Sequence, residues 1–514
     1  MRNTRVRWCL ATAASLVVAA GLVVGHVGAG SPALAATAKY DWLQFGFDES
    51  KSADDTAETM INLGNVTGLK KLFSVPLTDA PDGAPVELSN VATASGTRDL
   101  VFVQGEHGHV GAFDAHTGAV VWSKDFPGGG SFNAAPAIDP NRQFVYANAN
   151  DGFVHKLAVA TGAEVRSGGW PELAGTGKSA SQLTIGTDKS GTSFLYASNS
   201  GHGHITTINL STGTQHVFNM GCANHPDVHF GSPGQPNTCT VNGPEPWSRS
   251  PSFDPNLDLL FQMGGTNNGT TWVPGQVYRQ SWVALAADGS TTVRAGGGFP
   301  VDSYTPVNWA ASVKSDQDIG SGGMLVLPTG LSKKFPNLGV NPGKDAKIRI
   351  LNLANLSGKG APGNLGGELS LFSLPQMSEM RASGAVWTNP ADKSVWVFVP
   401  GNNGLAGFQV VVDAAGNPSL SLKWTLLNGW TTSVFMANGV LYAANGGGEH
   451  TTTLKLHNMQ AIDPVTGKVV WTGGIGVHHW SSPILANGIL YMVDGNSGGF
   501  GSGTTGDLIA WSLG

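Results

Sequence analysis

Apolar residues along this 514-residue chain fall into short runs that alternate with polar ones and end in glycine, asparagine, aspartate or proline. Such runs predict half-buried strands joined by tight turns. Five stretches resemble one another closely: SFNAAPAIDPNRQFVYAN (131–148), WSRSPSFDPNLDLLFQM (247–263), RASGAVWTNPADKSVWVFV (381–399), GWTTSVFMANGVLYAA (429–444) and HHWSSPILANGILYMV (478–493). Each leads from a Ser-, Ala- and Pro-rich strand through D-P-N, N-P-A-D or A-N-G into a hydrophobic strand. Gly, Asn and Asp supply positive φ in such turns and Pro presets them, so each stretch is a predicted β-hairpin. A second pattern follows the hairpins, in HVGAFDAHTGAVVWSKDF (109–126), FVHKLAVATGAEVRSGGW (153–170), HITTINLSTGTQHVFNM (204–220) and LHNMQAIDPVTGKVVWTGG (456–474), with Thr-Gly at 117, 161, 212 and 466.

The two patterns together make a repeat of roughly 40 to 50 residues, a period that means a solenoid or a propeller. Inner strands are expected to begin near Asn90, Ser131, Ala180, Trp247, Ser315, Arg381, Trp430 and Trp480. The last unit stops at GDLIAWSLG, after its third strand, whereas GLKKLFSVPL (68–77) reads as an orphan fourth strand. The expected fold is therefore all-β: an eight-bladed β-propeller of four-stranded blades, with its ring closed by the N-terminal strand, which leaves no open sheet edge.

Ala112–Trp122 and Ala461–Trp471 both read A-x-D-x-x-T-G-x-x-x-W. There the Asp can accept from turn amides, the Gly can turn left-handed, and the Trp can bury a large face between blades. On these residues the chain resembles the pyrroloquinoline quinone (PQQ) repeat family, whose tryptophan-docking motif is that eleven-residue pattern. The resemblance covers nearly all of the chain after its leader. Blades two and three carry Arg166 and Val217 at the tryptophan position, so their packing is expected to differ.

Gly is 72 of 514 residues and charged residues are 12%, which suits many short strands and turns. Arg2, Arg5 and Arg7 precede an apolar stretch from about Leu10 to Val24 and the small-residue site Ala33-Leu34-Ala35. This reads as a secretory signal peptide, residues 1–35, followed by one propeller domain, 36–514, secreted or periplasmic. The apolar stretch is shorter than the roughly 20 residues of a spanning helix, so no membrane span is expected. Removing the leader leaves 26 basic and 35 acidic residues, a net charge of −9, which disfavours a nucleic-acid partner. Cys222 and Cys239 would remain. In an oxidising compartment they are expected to form a disulfide worth about 3 kcal/mol, the alternative being two free buried thiols. No C-x-x-C-H occurs, which excludes covalently attached haem.

In a propeller the starts of the inner strands surround one mouth of the central channel, where a site is expected. That logic selects Asn133, Gln182, Trp247, Arg249, Asp316, Asp318, Arg381, Trp430, His479 and Trp480; the alternative is that they merely fill or polarise the channel. The segment SDQDIGSGGMLVLP (315–328) resembles the D-x-D region of quinoprotein dehydrogenases, in which an aspartate beside PQQ and calcium is the catalytic base. The resemblance implies Asp316 and Asp318 as base or metal ligands and Arg249 or Arg381 as partners of quinone oxygens. The chain departs from that family in lacking an adjacent cysteine pair, and the family's Glu and Asn calcium ligands have no assigned counterparts.

His107-Gly108-His109 and His202-Gly203-His204 occupy equivalent positions, read as tight turns with metal binding as the alternative. In the insertion 221–247, His225, Asp227 and His229 alternate; an extended segment would put all three on one face, as a metal site requires, whereas a solvated cap would not. No P-loop, G-x-S-x-G, H-E-x-x-H or G-x-G-x-x-G opening a helix occurs. Three readings remain. The first is an exported monomer that binds a protein, an envelope polymer or a small ligand at the mouth. The second is a PQQ- and calcium-dependent oxidoreductase acting on an alcohol or sugar. The third is a polysaccharide lyase or hydrolase.

Overall fold

The orphan strand closes the ring: Leu69–Leu77 runs antiparallel to Gly506–Leu513, from the pair Leu69 and Leu513 to the pair Leu77 and Gly506. In this computed structural model, Met1 and residues 38–514 are described, apart from 129–133, 177–178, 180, 200–201, 242–248, 267–268, 295–296, 375, 447–456 and 496–502. Most of the expected leader and two candidate site residues, Asn133 and Trp247, lie outside the described residues. Within the unit Lys39–Gly514 the strands form eight blades of four antiparallel strands, and Asp54–Asp55 adds a short fifth strand, parallel to the inner strand of blade 7. The repeat reading is thereby realised as an eight-bladed propeller. Among the described residues no helix is long and apolar enough to cross a membrane.

The inner strands are Val86–Thr93, Ala137–Ile138, Thr184–Thr187, Ser252–Asp254, Leu325–Val326, Ala385–Thr388, Phe435–Ala437 and Ile484–Ala486. In blades 2 to 8 they start later than expected. The Ser- and Ala-rich residues ahead of them lie outside the regular inner strands and form the lip of the channel mouth, which is where Arg249, Asp318, Arg381, Trp430 and His479 sit.

Blade contacts follow the tryptophan motif. Asp114 Oδ1 accepts from the amides of His116 and Thr117 at 3.1 and 3.0 Å, and Asp463 Oδ1 from those of Val465 and Thr466 at 2.9 and 3.2 Å. Trp122 of blade 1 donates to Val159 O of blade 2 at 2.8 Å and covers Gly162, where a Cβ would meet the indole at 2.6 Å. Trp471 of blade 7 reaches Leu69 O of the closing strand at 3.2 Å. Trp424 of blade 6 makes the same contact to Pro464 O at 2.9 Å, although no Thr-Gly precedes it in the chain. That contact was not expected, because the docking depends on the next blade's turn rather than on the tryptophan's own.

The segment ahead of the closing strand, Tyr40–Asp55, winds once around the inside of the channel and touches the blades in ring order. Tyr40 pairs with Asn487 of blade 8, through bonds of 3.0 and 2.9 Å, and Trp42 with Glu87 of blade 1, through bonds of 3.0 and 2.9 Å. Leu43 O accepts the Ile138 amide of blade 2 at 2.8 Å, and the Gln44 side chain bridges Ile185 of blade 3 at 3.1 and 2.9 Å. The carbonyls of Glu49, Ser50, Ser52 and Ala53 then accept from Phe253, Val326, Val386 and Met436 of blades 4 to 7, at 2.8, 3.4, 2.8 and 2.7 Å. Inner strands are sheet edges facing the axis, and this segment supplies the partners their amides need. Its sharp winding uses positive φ at Phe47, Lys51 and Ala53. Lys51 is buried inside the coil, donating to Phe45 O at 2.9 Å and Gln44 Oε1 at 3.2 Å, and burial pushes its pKa down to about 7.

Candidate functional site

At the mouth, side chains from four blades and the closing connection form a continuous arc. Arg249, ahead of blade 4, lies with its guanidinium 4.9 Å from the ring of Trp480, ahead of blade 8, and its Nη2 donates to Trp480 O at 3.1 Å. The Trp480 ring stacks on His479 at 4.2 Å, and His479 in turn lies 6.3 Å from Trp430, ahead of blade 7. Arg381, ahead of blade 6, places its guanidinium 5.5 Å over the Trp430 ring and forms an ion pair with Glu379. Below the arc, Asp82 carries the anchoring charge. Its Oδ2 lies 2.7 Å from His479 Nδ1 and its Oδ1 accepts the Trp480 amide at 2.5 Å, with Asp82 and His479 both fully buried.

Arg249 is 2% exposed, and its Nε and Nη1 have no hydrogen-bond partner among the described residues. Burial pushes its pKa down to about 10 against the pull of Asp82. A guanidinium remains charged at neutral pH even so, and two buried N–H groups without acceptors cost roughly 1–3 kcal/mol each, or more where charge is involved. Among the described residues, the arc thus holds buried donors without an acceptor beside a stacked aromatic face.

Asp316 and Asp318 lie at the blade 5 sector of the same mouth, joined by a residue the sequence did not suggest. Lys344, in the turn between Leu338–Pro342 and Lys347–Asn352, places Nζ 2.8 Å from Asp318 Oδ2 and 3.1 Å from Asp316 Oδ2. Thr266 donates its amide to Asp318 at 2.7 Å and its hydroxyl to Asp316 at 2.8 Å. Asp318 is buried, whereas the Asp316 side chain is 75% exposed. Burial works against the Lys344 charge, yet Asp318 and Asp316 hold its pKa above the usual lysine value. Burial raises the Asp318 pKa in spite of Lys344; Asp316 is lowered, its burial outweighed by Lys344 and Thr266. Lys344 lies in a turn that precedes no inner strand, whereas Asp82 stands just ahead of the blade 1 inner strand, which starts at Val86 rather than near Asn90. Reading the turns between second and third strands for charge would have found Lys344.

These residues fit one half of a PQQ site. The buried Arg249 donors and the tryptophan faces suit a planar, carboxylate-bearing quinone. The calcium half does not fit: Lys344 and Thr266 take up the aspartate oxygens, and among the described residues no group of three His, Cys, Asp or Glu side chains can hold a metal ion. A calcium ion takes six to eight oxygens. Gln182 is buried beside the arc, its amide donating to Arg249 O at 2.8 Å.

The insertion is not extended, and His225, Asp227 and His229 do not meet. Asp227, at φ +61°, accepts the Val217 amide at 2.9 Å and lies 3.1 Å from His216 Nδ1. His229 Nε2 lies 3.2 Å from Thr206 Oγ1, and His225 packs edge-on against Phe230 at 6.0 Å. The one-face premise fails because the chain turns at Asp227, and the metal reading of these three is set aside. Cys222 and Cys239 are disulfide-bonded and pack with Phe230, so the insertion is pinned as expected. Gly108 and Gly203 take φ of +95° and +73°, placing the two His-Gly-His triplets in tight turns. His107 and His109 are anchored through Nδ1 to Asp79 and Asp125, each at 2.7 Å.

His204, His229 and His478 are buried, and burial pushes their pKa values down to about 3, 4 and 4. Depressed histidines contribute stability fully above the unfolded value of about 6.5 and lose it as pH falls toward the folded values. We expect the melting temperature to fall between pH 6.5 and pH 4, with His204→Phe removing on the order of 2 kcal/mol of that loss. Thermal melts across this range check it; an unchanged pH slope in the variant counts against it.

Residues 73–216 match the family model described as outer membrane protein assembly factor BamB. No curated protein matches the chain significantly. Among solved structures, the chain is similar to a quinohemoprotein alcohol dehydrogenase from Pseudomonas putida HK5, at 14% identity over 92% of this chain and 80% of that one, with a TM-score of 0.59. A europium-containing methanol dehydrogenase matches at 14% identity over 92% and 98%, with a TM-score of 0.59. The quinohemoprotein alcohol dehydrogenase from Comamonas testosteroni matches at 15% identity over 92% and 80%, with a TM-score of 0.56. At such identities the likeness is one of fold. Blade topology makes this chain an eight-bladed β-propeller, and the repeat motif and the family match over residues 73–216 are consistent with the PQQ-repeat type.

Proposed function

We propose that the chain is an exported binding protein that takes up a small, planar, anionic ligand at the channel mouth. The carrying observation is Arg249, buried against Trp480 with two N–H groups lacking an acceptor among the described residues. A carboxylate accepts bidentately from such a guanidinium, and the tryptophan offers a face on which the rest of a flat ligand rests. Arg381 over Trp430 repeats the arrangement farther round the arc. Export is supported by the leader-like N-terminus and by the disulfide.

The test is a thermal melt of the leader-free protein with PQQ, with and without calcium. PQQ alone is expected to stabilise, by about 2.7 kcal/mol at 100 times its dissociation constant, with nothing added by calcium. Arg249→Ala is expected to abolish the shift. No response to saturating PQQ, or to aromatic carboxylates such as quinolinate, would sink the reading.

The oxidoreductase reading keeps one specific observation in its favour, the Asp316–Lys344–Asp318 cluster opening on the same mouth. Turnover of an alcohol or sugar with PQQ and an artificial acceptor, lost in Asp316→Asn, would establish it over simple binding.

A further inference from the structure

The channel end opposite the mouth carries a cavity of about 260 Å3 that the arc does not use. The channel segment forms one side of it, laid across the inner-strand ends and turns of blades 4, 5 and 6. Hydroxyls of Ser50, Ser52 and Thr388 and the amide of Asn256 give it a polar wall, and Phe47 and Leu327 an apolar one. Two carboxyls, Asp48 and Asp54, line it, and among the described residues no lysine, arginine or histidine does.

The carboxyls differ in how they are engaged. Asp48 accepts from the Ser52 amide at 3.0 Å and from its hydroxyl. The Asp54 amide donates to Ser52 Oγ at 3.2 Å, but no donor among the described residues reaches its carboxyl group. Burial, with Asp55 and Asp48 nearby, pushes the Asp54 pKa up to about 7, so near neutrality it both donates and accepts. The absence of cations in the lining rules out an anionic ligand. The lack of a three-ligand metal group among the described residues weighs against a metal ion. What remains is a ligand with hydroxyls for the polar wall and C–H surface for the apolar one. The volume lies below the ~300–1,000 Å3 of drug-sized pockets, as a single sugar ring requires.

We propose that this cavity is a second binding site, for a neutral carbohydrate of monosaccharide size, with Asp54 as its hydrogen-bonding anchor and Phe47 as part of its apolar wall. The site is built by the N-terminal segment and is independent of the mouth.

Titration calorimetry of the leader-free protein against D-glucose, D-galactose, D-mannose and N-acetyl-D-glucosamine tests it, with calcium chloride and propylamine as cationic probes. At least one sugar is expected to bind saturably and to compete with none of the PQQ response at the mouth. Thr388→Trp adds bulk into the cavity from an exposed strand end and should weaken that sugar at least tenfold; Asp54→Asn should weaken it less. Circular-dichroism melts confirm that both variants fold. The proposal is overturned if no sugar binds, if folded Thr388→Trp binds as tightly as the parent, or if only the cationic probes bind.

Discussion

A chain shortened to begin at Ala80 is expected to give no cooperative propeller, because residues 39–79 supply both the fourth strand of blade 8 and the inner lining of the channel. Trp42, Phe45, Ile61, Val66, Leu69 and Leu77 are all between 0% and 6% exposed. Burying each is worth roughly 1.5–3 kcal/mol, so their loss removes on the order of 10 kcal/mol. That is comparable with the 5–15 kcal/mol of net stability typical of a folded protein. The truncation also bares the edge of Gly506–Leu513, a template for pairing with other chains. Size-exclusion chromatography should show aggregates, and circular-dichroism melts a broad or absent transition. A monodisperse product with the parent's melting temperature would contradict this account. Within the intact chain, Trp42→Ala separates the channel segment from ring closure. Trp42 meets Phe47 and Phe435 edge-on at 5.1 and 5.2 Å, and its truncation is expected to cost about 3–5 kcal/mol with the closing strand still present.

Lys344→Met is expected to cost about 3–5 kcal/mol at pH 7, because it leaves Asp318 buried without its counter-ion. The pH dependence gives this substitution a signature. Burial already raises the Asp318 pKa, and without Lys344 it rises further. A carboxyl with a raised folded pKa contributes stability below its unfolded value, near 3.9, and loses it as pH rises through the folded value. The gap between variant and parent in urea unfolding should therefore be small near pH 4 and widen toward pH 7. Asp318→Asn combined with Lys344→Met should recover most of the loss, since it removes the stranded charge. A cost independent of pH, or a double variant no better than the single one, would show that Lys344 acts through packing of its aliphatic stem instead.

How much of the molecule was legible depended on how local the cause was. Strand alternation, D-P-N and A-N-G turns and Thr-Gly corners act over a few neighbouring residues, so the repeat and the blades could be read directly. Ring closure by 68–77 was also legible, because the last repeat lacked a strand and the N-terminus had one to spare. The strands' late starts were not, since pairing in the crowded channel depends on neighbouring blades. At the site, Arg249, Trp430, His479, Trp480, Arg381, Asp316 and Asp318 were legible as lip residues from their place ahead of inner strands. Asp82 was missed because the blade 1 inner strand starts at Val86, ahead of its expected place near Asn90, and Lys344 because it arrives from a turn with no repeat signature. His225, Asp227 and His229 misled because alternation implies a shared face only in an extended chain, and Asp227 breaks that condition.

By itself, then, the sequence determined the local units: which residues form strands, where turns fall, which tryptophans can dock and which segment can complete the ring. Such choices depend on short-range sterics and on burial patterns with a period of two. Only the tertiary structure decided how those units share space. It wound Tyr40–Asp55 past all eight inner strands, set Arg249 against Trp480 across a sequence separation of 231, and put Lys344 between two aspartates. Contacts at the axis of a ring join residues that have no regular spacing along the chain, so no periodicity announces them; they follow from closure, which brings every blade's lip to the same small circle.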